Sequence, residues 1–154
     1  MKKGEIYTGT VERVEFPNKG IVPIEEDGKV SRVVVKNTIP GQKISFMINK
    51  KRKDKCEARM VEILEKSPIE TVEACKHFGE CGGCVYQTVN YEDQLRIKSD
   101  QVKKMLDEVI KEEFEFEAIK GSPKTEEYRN KMEFSFGDTE KDGPLALGMH
   151  KRNS

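Results

Sequence analysis

Residues 20–35 read GIVPIEEDGKVSRVVV, and this stretch decides the fold of the first part of the chain. Its centre is Asp27-Gly28, a dipeptide that two-residue β-turns favour because both turn positions need a positive φ. Runs of β-branched residues lie on either side of it, at residues 20–24 and 30–35. Two such runs joined by a tight turn predict an antiparallel β-hairpin.

Three further stretches around this hairpin have the composition of strands. Turn-forming residues separate them, at residues 17–20 and at Pro40-Gly41. Five short strands in about 65 residues are typical of a small barrel of the OB type. We therefore predict an OB-like β-barrel over residues 1–66, with Cys56 directed into its core. The three further strands are predicted at residues 6–11 with a continuation through Val14 and Phe16, at residues 43–48, and at residues 57–64.

Charge is distributed unevenly along the chain. The 154 residues include 28 basic and 28 acidic side chains, but residues 1–66 hold 15 Lys and Arg against 10 Asp and Glu, a net charge of +5. A basic domain predicts a polyanionic partner, and OB-type barrels bind single-stranded nucleic acid through basic and aromatic side chains. For each aromatic ring, filling the core is the alternative. The candidates are Lys50, Lys51, Arg52, Lys53 and Lys55 for phosphates, and Tyr7, Phe16 and Phe46 for base stacking.

The sequence predicts neither a membrane span nor an export signal. No stretch approaches the ~20 apolar residues of a membrane span. Residues 1–5 (MKKGE) lack the apolar run of a signal peptide. We therefore expect a cytoplasmic protein whose cysteines are reduced.

Three of the four cysteines fall within ten residues, in the segment CKHFGECGGC at positions 75–84. Cys75, Cys81 and Cys84 stand among glycines and charged residues, not among the apolar neighbours that suit a buried structural cysteine. In an intracellular protein this pattern is typical of metal or cluster ligands. Unrelated thiols in a loop are the alternative.

The cysteine segment supplies three ligands, whereas a structural zinc ion or a cubane cluster usually binds four. Zinc cages more often have two paired knuckles, and no second pair exists here. The spacing therefore favours an iron–sulfur cluster over zinc. The fourth ligand remains open among Cys56, His77, His150 and a cysteine beyond Ser154.

Residues 67–154 are predicted to form a second, α+β domain, because residues 67–70 (SPIE) break the strand pattern. Asn90 is a predicted N-cap for a helix from Tyr91 to about Lys111. Its core-facing stripe is predicted to be Leu95, Val102, Leu106, Val109 and Ile110. Strands are predicted at residues 114–119, 128–136 and 145–149, and the second of these alternates so that one face should be buried.

The order of these features resembles the N-terminal half of the RNA uracil-5-methyltransferases. The resemblance rests on the basic β-barrel, on the cysteine triplet with Gly82-Gly83, on Gln87, Gln94 and Lys98, and on residues 128–134 (YRNKMEF). It covers nearly the whole chain. It implies a TRAM barrel followed by a central domain that carries a [4Fe–4S] cluster ligated by Cys75, Cys81 and Cys84, with a fourth cysteine beyond Ser154.

The resemblance also implies that this chain lacks part of its parent protein. In the family, a further domain binds S-adenosylmethionine and carries the catalytic cysteine, which adds to C6 of uracil so that C5 accepts the methyl group. None of these groups is expected in this chain, which is predicted to be an inactive N-terminal fragment with a labile or absent cluster. Its contribution would be RNA binding, to ribosomal or transfer RNA.

Two residues of the alternating strand are further candidates for RNA contact. Arg129 and Lys131 lie on its polar face and are predicted to contact phosphates near a flipped target base. A solvated strand face is the alternative. A second interpretation of the whole chain is a free-standing RNA-binding module with a structural zinc ion and no enzymatic activity.

Overall fold

The structure is a computed structural model that describes residues 1–52, 55–72, 75–138 and 140–150. Within these residues the chain forms eight β-strands and one α-helix. The elements are β1 (Ile6–Thr10), β2 (Arg13–Glu15), β3 (Lys19–Glu26), β4 (Lys29–Lys36), β5 (Lys43–Arg52), β6 (Lys55–Glu65), α1 (Tyr91–Val109), β7 (Ser135–Gly137) and β8 (Ala146–Gly148).

Strands β1 to β6 form a six-stranded mixed sheet in the order β1-β5-β6-β4-β3-β2. The predicted hairpin is confirmed. Strands β3 and β4 pair from Lys19 opposite Lys36 to Glu26 opposite Lys29, and Asp27 and Gly28 have φ values of 51° and 70°. Positive φ values at both residues are what the predicted Asp-Gly turn requires. The contact between β4 and β6 is the parallel one in an otherwise antiparallel sheet.

The first predicted strand is divided by Val11 and Glu12 into β1 and β2, which pair with opposite ends of the sheet. Strand β1 pairs with β5, and β2 pairs with β3. At the division, the Val11 amide donates to the Gln42 carbonyl at 2.8 Å and the Glu12 amide donates to the Ile21 carbonyl at 2.9 Å. The sheet must therefore curve strongly, since one segment reaches both of its ends. Complete closure into an OB-type barrel remains a prediction.

The larger hydrophobic core is formed by residues of this sheet and of the segments that join its strands. Phe46 is 0 % exposed at its centre, and Cys56 packs into it as predicted. Where β1 approaches β3, a Cβ on Gly9 would lie 2.5 Å from Val22 Cγ1, so the missing side chain permits the close approach. The buried members of the core are Val11, Val14, Val22, Val33, Val35, Ile44, Phe46, Ile48 and Cys56.

Helix α1 has the predicted ends, but only part of the predicted face is covered: Leu95 and Leu106 are half-buried. Val102 and Val109 of the expected stripe are 43 % and 73 % exposed, whereas Ile97 is 6 % exposed and packs with Ile39 and Val89. The physical reason is that the helix lies against the edge of the six-stranded sheet, where Gln101 Nε2 donates to the carbonyl of Val14 at 3.1 Å. No helix in the described part of the chain has the length and apolar character required to cross a membrane.

Replacing Asn90 with alanine is expected to destabilise α1 by about 1 kcal/mol. The Asn90 side chain accepts a hydrogen bond from the Asp93 amide at 2.9 Å, and alanine leaves that amide to water. Thermal or urea unfolding followed by circular dichroism measures the loss. Asn90→Ser, which retains an N-capping oxygen, is the control and should remain near wild type; equal losses in both variants would contradict the capping role.

The predicted strands of residues 114–119 and 128–136 are largely wrong. Residues 111–134, all of them described, form neither helix nor strand. Among the described residues that follow α1, only β7 and β8 pair, with Phe136 opposite Leu147. Tyr128 is 63 % exposed, so the face expected to be buried is open. Alternation specifies which side chains a sheet would bury, but the strand also needs a covering layer, and the described residues supply none there.

Candidate nucleic-acid interface and cysteine loop

The described part of the basic segment after residue 49 lies on two paired strands, at a hairpin end, and not in a loop. Strands β5 and β6 extend further than predicted, so that Lys50 lies opposite Glu57, Lys51 opposite Cys56 and Arg52 opposite Lys55. All four basic side chains are exposed. Lys53, the remaining predicted phosphate contact of this segment, lies outside the described residues.

Two further lysines, which the sequence reasoning missed, lie beside this hairpin end. Strand β1 is antiparallel to β5 with Ile6 opposite Met47, so the residues before Ile6 run alongside those after Met47. The Gly4 amide donates to the Ile48 carbonyl at 2.8 Å. The sequence shows two lysines at positions 2 and 3, but only the pairing of β1 with β5 shows that they lie beside residues 50–52. We call the exposed residues Lys2, Lys3, Lys50, Lys51, Arg52 and Lys55 the basic tip.

The three aromatic candidates have different environments. Phe46 is buried in the core, which is the alternative that the sequence left open. Tyr7 stacks on it with ring centroids 6.4 Å apart, and its hydroxyl donates to Glu5 Oε2 at 2.6 Å. That hydrogen bond, with some desolvation, raises the pKa of Tyr7 to about 12. Phe16 is 59 % exposed, so its ring is the most accessible of the three for stacking.

The cysteine segment forms a loop of consecutive turns. Cys75 and Cys81 are half-buried and Cys84 is exposed, and none of the cysteines in the described residues forms a disulfide. The Phe78 amide donates to the Cys75 carbonyl at 3.0 Å. The amide of Gly83 donates to Cys81 Sγ at 3.3 Å. The loop therefore directs one backbone N–H donor at the sulfur of Cys81.

The residue types of this loop fit a metal ion or cluster, whereas the arrangement of their side chains does not. Three thiols share one polar loop, but the described residues contain no group of three or more Cys, His, Asp or Glu side chains arranged to hold a metal ion. Cys56 suits a packing role, because it lies in the sheet core and burial raises the pKa of its thiol. The cluster ligation by Cys75, Cys81 and Cys84 remains a prediction.

The structure brings the cysteine loop beside the segment that follows β8. A Cβ on Gly82 would lie 3.6 Å from the His150 carbonyl oxygen, and one on Gly83 would lie 3.5 Å from Met149 Cε. The two segments are more than 60 residues apart in sequence. A ligand a few residues beyond His150 would therefore start from a point next to the loop.

Glu70 joins the two ends of the cysteine loop to the six-stranded sheet. Its carboxylate accepts hydrogen bonds from the Ser67 amide at 2.7 Å and from Gln42 Nε2 at 3.0 Å. Its backbone forms an antiparallel bridge with Val89, and the adjacent Thr71 amide donates to the Thr88 carbonyl at 2.6 Å. The loop is thus closed at its base.

Replacing Glu70 with alanine is expected to lower the free energy of unfolding by about 2–3 kcal/mol. The change leaves the amide of Ser67 and the side chain of Gln42, which belong to residues only 4 % and 2 % exposed, without this acceptor. Hydrogen exchange should become faster in residues 71–88 before it does so in β3 and β4. Glu117→Ala removes the same charge at an exposed site and is the control; if both variants behave alike, Glu70 does not close the loop.

Two glutamines that carry the family resemblance differ in their hydrogen bonds. Gln94 Nε2 donates to the Val89 carbonyl at 2.8 Å and to the Tyr86 carbonyl at 3.1 Å, so it fixes the segment that leaves the cysteine loop. Gln87 Oε1 is buried, and within the described residues it has no hydrogen-bond partner. Gln94 is therefore a structural residue of the loop.

Arg129 and Lys131 line one shallow pocket of about 290 Å³ together with Met132, Glu133 and Met149. Lys131 Nζ is 2.9 Å from Glu133 Oε1, and both of these side chains are about four-fifths exposed, at 79 % and 83 %. Met149 also lies next to Gly83. The predicted phosphate contacts thus lie close to the cysteine loop, with the charge of Lys131 partly offset by Glu133.

A second groove, of about 360 Å³, separates β2 from α1. Lys104 pairs with Glu15 across it. Burial raises the pKa of Glu15, but hydrogen bonds from Lys104 and Arg13 outweigh this effect, so the pKa lies below its usual value. The charged lining consists of Arg13, Lys104, Glu15, Asp100 and Glu108, which is two cations and three carboxylates. The groove is therefore unsuited to phosphates.

Comparison with known proteins identifies relatives over nearly the whole chain. A protein of Clostridium tetani named an uncharacterized RNA methyltransferase is 43 % identical over 152 residues, which is 99 % of this chain and 32 % of the relative. The chain is similar to RNA methyltransferases. One from Caldanaerobacter subterraneus is 44 % identical over 99 % of the chain and 33 % of the relative, and one from Thermotoga maritima is 33 % identical over 83 % of the chain and 27 % of the relative. No protein-family model matches the chain.

These comparisons confirm the predicted resemblance at the level of RNA methyltransferases. The chain spans about a third of the length of the curated relatives that it matches. The relatives' names do not mention uracil-5 specificity, a TRAM barrel or an iron–sulfur cluster. These three features remain predictions.

Proposed function

We propose that this chain is the RNA-binding and cysteine-loop portion of an S-adenosylmethionine-dependent RNA methyltransferase. Its parent methylates C5 of a uridine in ribosomal or transfer RNA, in the cytoplasm. The observation that supports this most is the similarity to RNA methyltransferases over 99 % of the chain at 43 % and 44 % identity. Residues 1–66 act as an OB-like TRAM barrel and residues 67–154 as part of a central domain, and catalysis is left to the rest of the parent.

The basic tip is the RNA-binding surface of this proposal. Arg52 and Lys55 lie directly opposite each other, and like charges in that position repel. A phosphate between them relieves the repulsion, and Lys50 and Lys51 add positive charge on the same strand. Phosphate contacts of this kind give sequence-independent affinity, which is what an RNA-holding domain needs before base recognition. Phe16 offers an exposed ring for stacking.

Arg129 and Lys131 form the second RNA contact, near the cysteine loop. Their pocket is open and lies beside Met149, which packs next to Gly83. Guanidinium and ammonium groups at this position hold the phosphates that flank an extruded uridine. The proposal therefore has two cationic contacts, one at the basic tip and one beside the cysteine loop.

Cys75, Cys81 and Cys84 ligate the [4Fe–4S] cluster in the parent protein. The amide of Gly83, directed at Cys81 Sγ, stabilises negative charge on that sulfur. The fourth ligand comes from a cysteine beyond Ser154, and the position of His150 next to Gly82 is compatible with that source. When bound, the cluster links distant chain segments through metal–sulfur bonds, and C5 methylation requires no electron from it.

Methyl transfer tests the proposed activity. The complete gene product, prepared without oxygen, is incubated with S-adenosylmethionine and with unmodified ribosomal or transfer RNA. We expect 5-methyluridine in the digested RNA, detected by nucleoside mass spectrometry. Methylation at another atom would overturn the uracil-5 assignment, and no methylation of any RNA would overturn the function.

Metal analysis of the same preparation tests the cluster. We expect about four iron and four sulfide ions per chain, lost in Cys81→Ser and retained in Cys56→Ser, because Cys56 packs in the sheet core. Stoichiometric zinc with no iron or sulfide would overturn the cluster assignment.

A further inference from the structure

The β7–β8 hairpin has one large apolar face, and this face is open. Phe136 and Leu147 lie directly opposite each other and are 76 % and 60 % exposed. Phe134, Leu145 and Met149 directly flank the two strands, and they are 54 %, 76 % and 39 % exposed. A contiguous apolar patch of this kind is uncommon on a protein surface and marks a contact site.

The opposite face of the hairpin shows which side is built for burial. Its cross-strand pairs are Ser135 with Gly148 and Gly137 with Ala146, all small residues. The large side chains are thus concentrated on one side of a two-stranded sheet. A hairpin of two strands is at best marginally stable in water without a third strand or a packing layer. The hairpin therefore needs a cover on its large-residue face.

We propose that the remaining part of the methyltransferase polypeptide covers the apolar face formed by Phe136 and Leu147 together with the flanking residues Phe134, Leu145 and Met149. This inference rests on the proposed function, because it takes the chain as part of a longer protein. Three observations support this occupant. The relatives match 99–100 % of this chain with only 32–33 % of their own length. The face continues a sequence pattern of strict alternation at residues 128–136. The hairpin also lies next to the cysteine loop through Met149.

A strand or helix of the same polypeptide is the partner with the right chemistry. The five side chains of the face are uncharged and apolar, so a nucleic acid gains no phosphate contact from them. An intramolecular partner is held at high effective concentration and tolerates a modest contact area. The chain described here would then present a docking face to the part of the protein that carries out methyl transfer.

Hydrogen exchange tests the inference. Residues 1–154 and the complete gene product are labelled in parallel, and exchange is read in peptides that contain β7 and β8. We expect the amides of Ser135–Gly137 and Ala146–Gly148 to exchange at least about 100-fold more slowly in the complete protein. The variant Phe136→Asp/Leu147→Asp should lose that protection in the complete protein and leave the unfolding of residues 1–154 unchanged. Val72→Asp, at a side chain that is 84 % exposed, is the matched control and should change neither.

Each other result overturns the inference. If exchange is equal in both proteins, or if the gene product is no longer than residues 1–154, the rest of the polypeptide does not cover the hairpin. Protection that rises with the concentration of residues 1–154 and disappears in Phe136→Asp/Leu147→Asp identifies a second copy instead. Protection that requires RNA identifies RNA. The outcome is separate from the methylation assay, since the complete protein can protect the hairpin whether or not it forms 5-methyluridine.

Discussion

Replacing Lys50, Lys51 and Arg52 together with glutamine is expected to weaken the binding of single-stranded RNA by about 100-fold at 0.1 M salt. Each phosphate contact to a single strand contributes about 0.7 to the magnitude of the slope of log affinity against log salt concentration. One contact therefore raises the affinity about fivefold when the salt concentration falls from 1 M to 0.1 M. Three contacts multiply to roughly 100-fold and reduce the slope by about 2. Fluorescence anisotropy with a labelled oligonucleotide, at four or five salt concentrations, measures both quantities.

The control for this variant removes the same charge elsewhere. Lys98, Lys103 and Lys111 are exposed lysines on or just after α1, and their replacement by glutamine also lowers the net charge by three. This control should lose less than about threefold in affinity, because distant charges are screened at this salt concentration. Equal losses in the two variants would mean that total charge, and not the basic tip, determines binding. Lys51 Nζ also donates to the Met1 carbonyl at 2.8 Å, so the unfolding temperature of each variant is checked first.

Phe46→Ala is expected to lower the free energy of unfolding by about 3–5 kcal/mol. The ring is fully buried at the centre of the sheet core and stacks against Tyr7, so its removal loses transfer free energy and leaves a cavity. A domain of this size has a stability of about 5–15 kcal/mol, and the loss is a large part of it. Urea unfolding of residues 1–154 followed by circular dichroism gives the difference.

Phe136→Ala is the matched control, because the chemical change is the same at a ring that is 76 % exposed. We expect a change of less than about 0.5 kcal/mol in residues 1–154. If the two phenylalanines cost the same, the assignment of Phe46 to the core of the six-stranded sheet is wrong. In the complete gene product the cost of Phe136→Ala should rise, since the face that contains Phe136 is proposed to be covered there.

Local sequence rules predicted the elements whose stability is local. The Asp27-Gly28 turn, the hairpin around it and the N-cap at Asn90 were found as expected, because each depends on neighbours within a few residues. The same rules failed for residues 128–136. There the alternation is real, but an extended strand is stable only with neighbouring strands or a packing layer, and the isolated pattern carries no information about them.

The candidate site was predicted in its residue types and not in its arrangement. The basic residues at positions 50–52 and the three clustered cysteines are visible in sequence order. The contribution of Lys2 and Lys3 to the basic tip is not, because it depends on β1 pairing antiparallel with β5. The closure of the cysteine loop by Glu70 was equally hidden, since its partner Gln42 lies 28 residues away.

The sequence by itself determined that the first part of this protein is a turn-punctuated β-structure, that a helix starts after Asn90, and that three cysteines share one loop. Each of these depends on backbone preferences and spacing over a few residues. Only the tertiary structure decided that one strand divides at Val11 to reach both ends of the sheet, that Ile97 is the buried residue of the helix, and that the cysteine loop lies beside Met149. Those arrangements depend on which distant surfaces bury each other, and burial is a property of the folded chain as a whole.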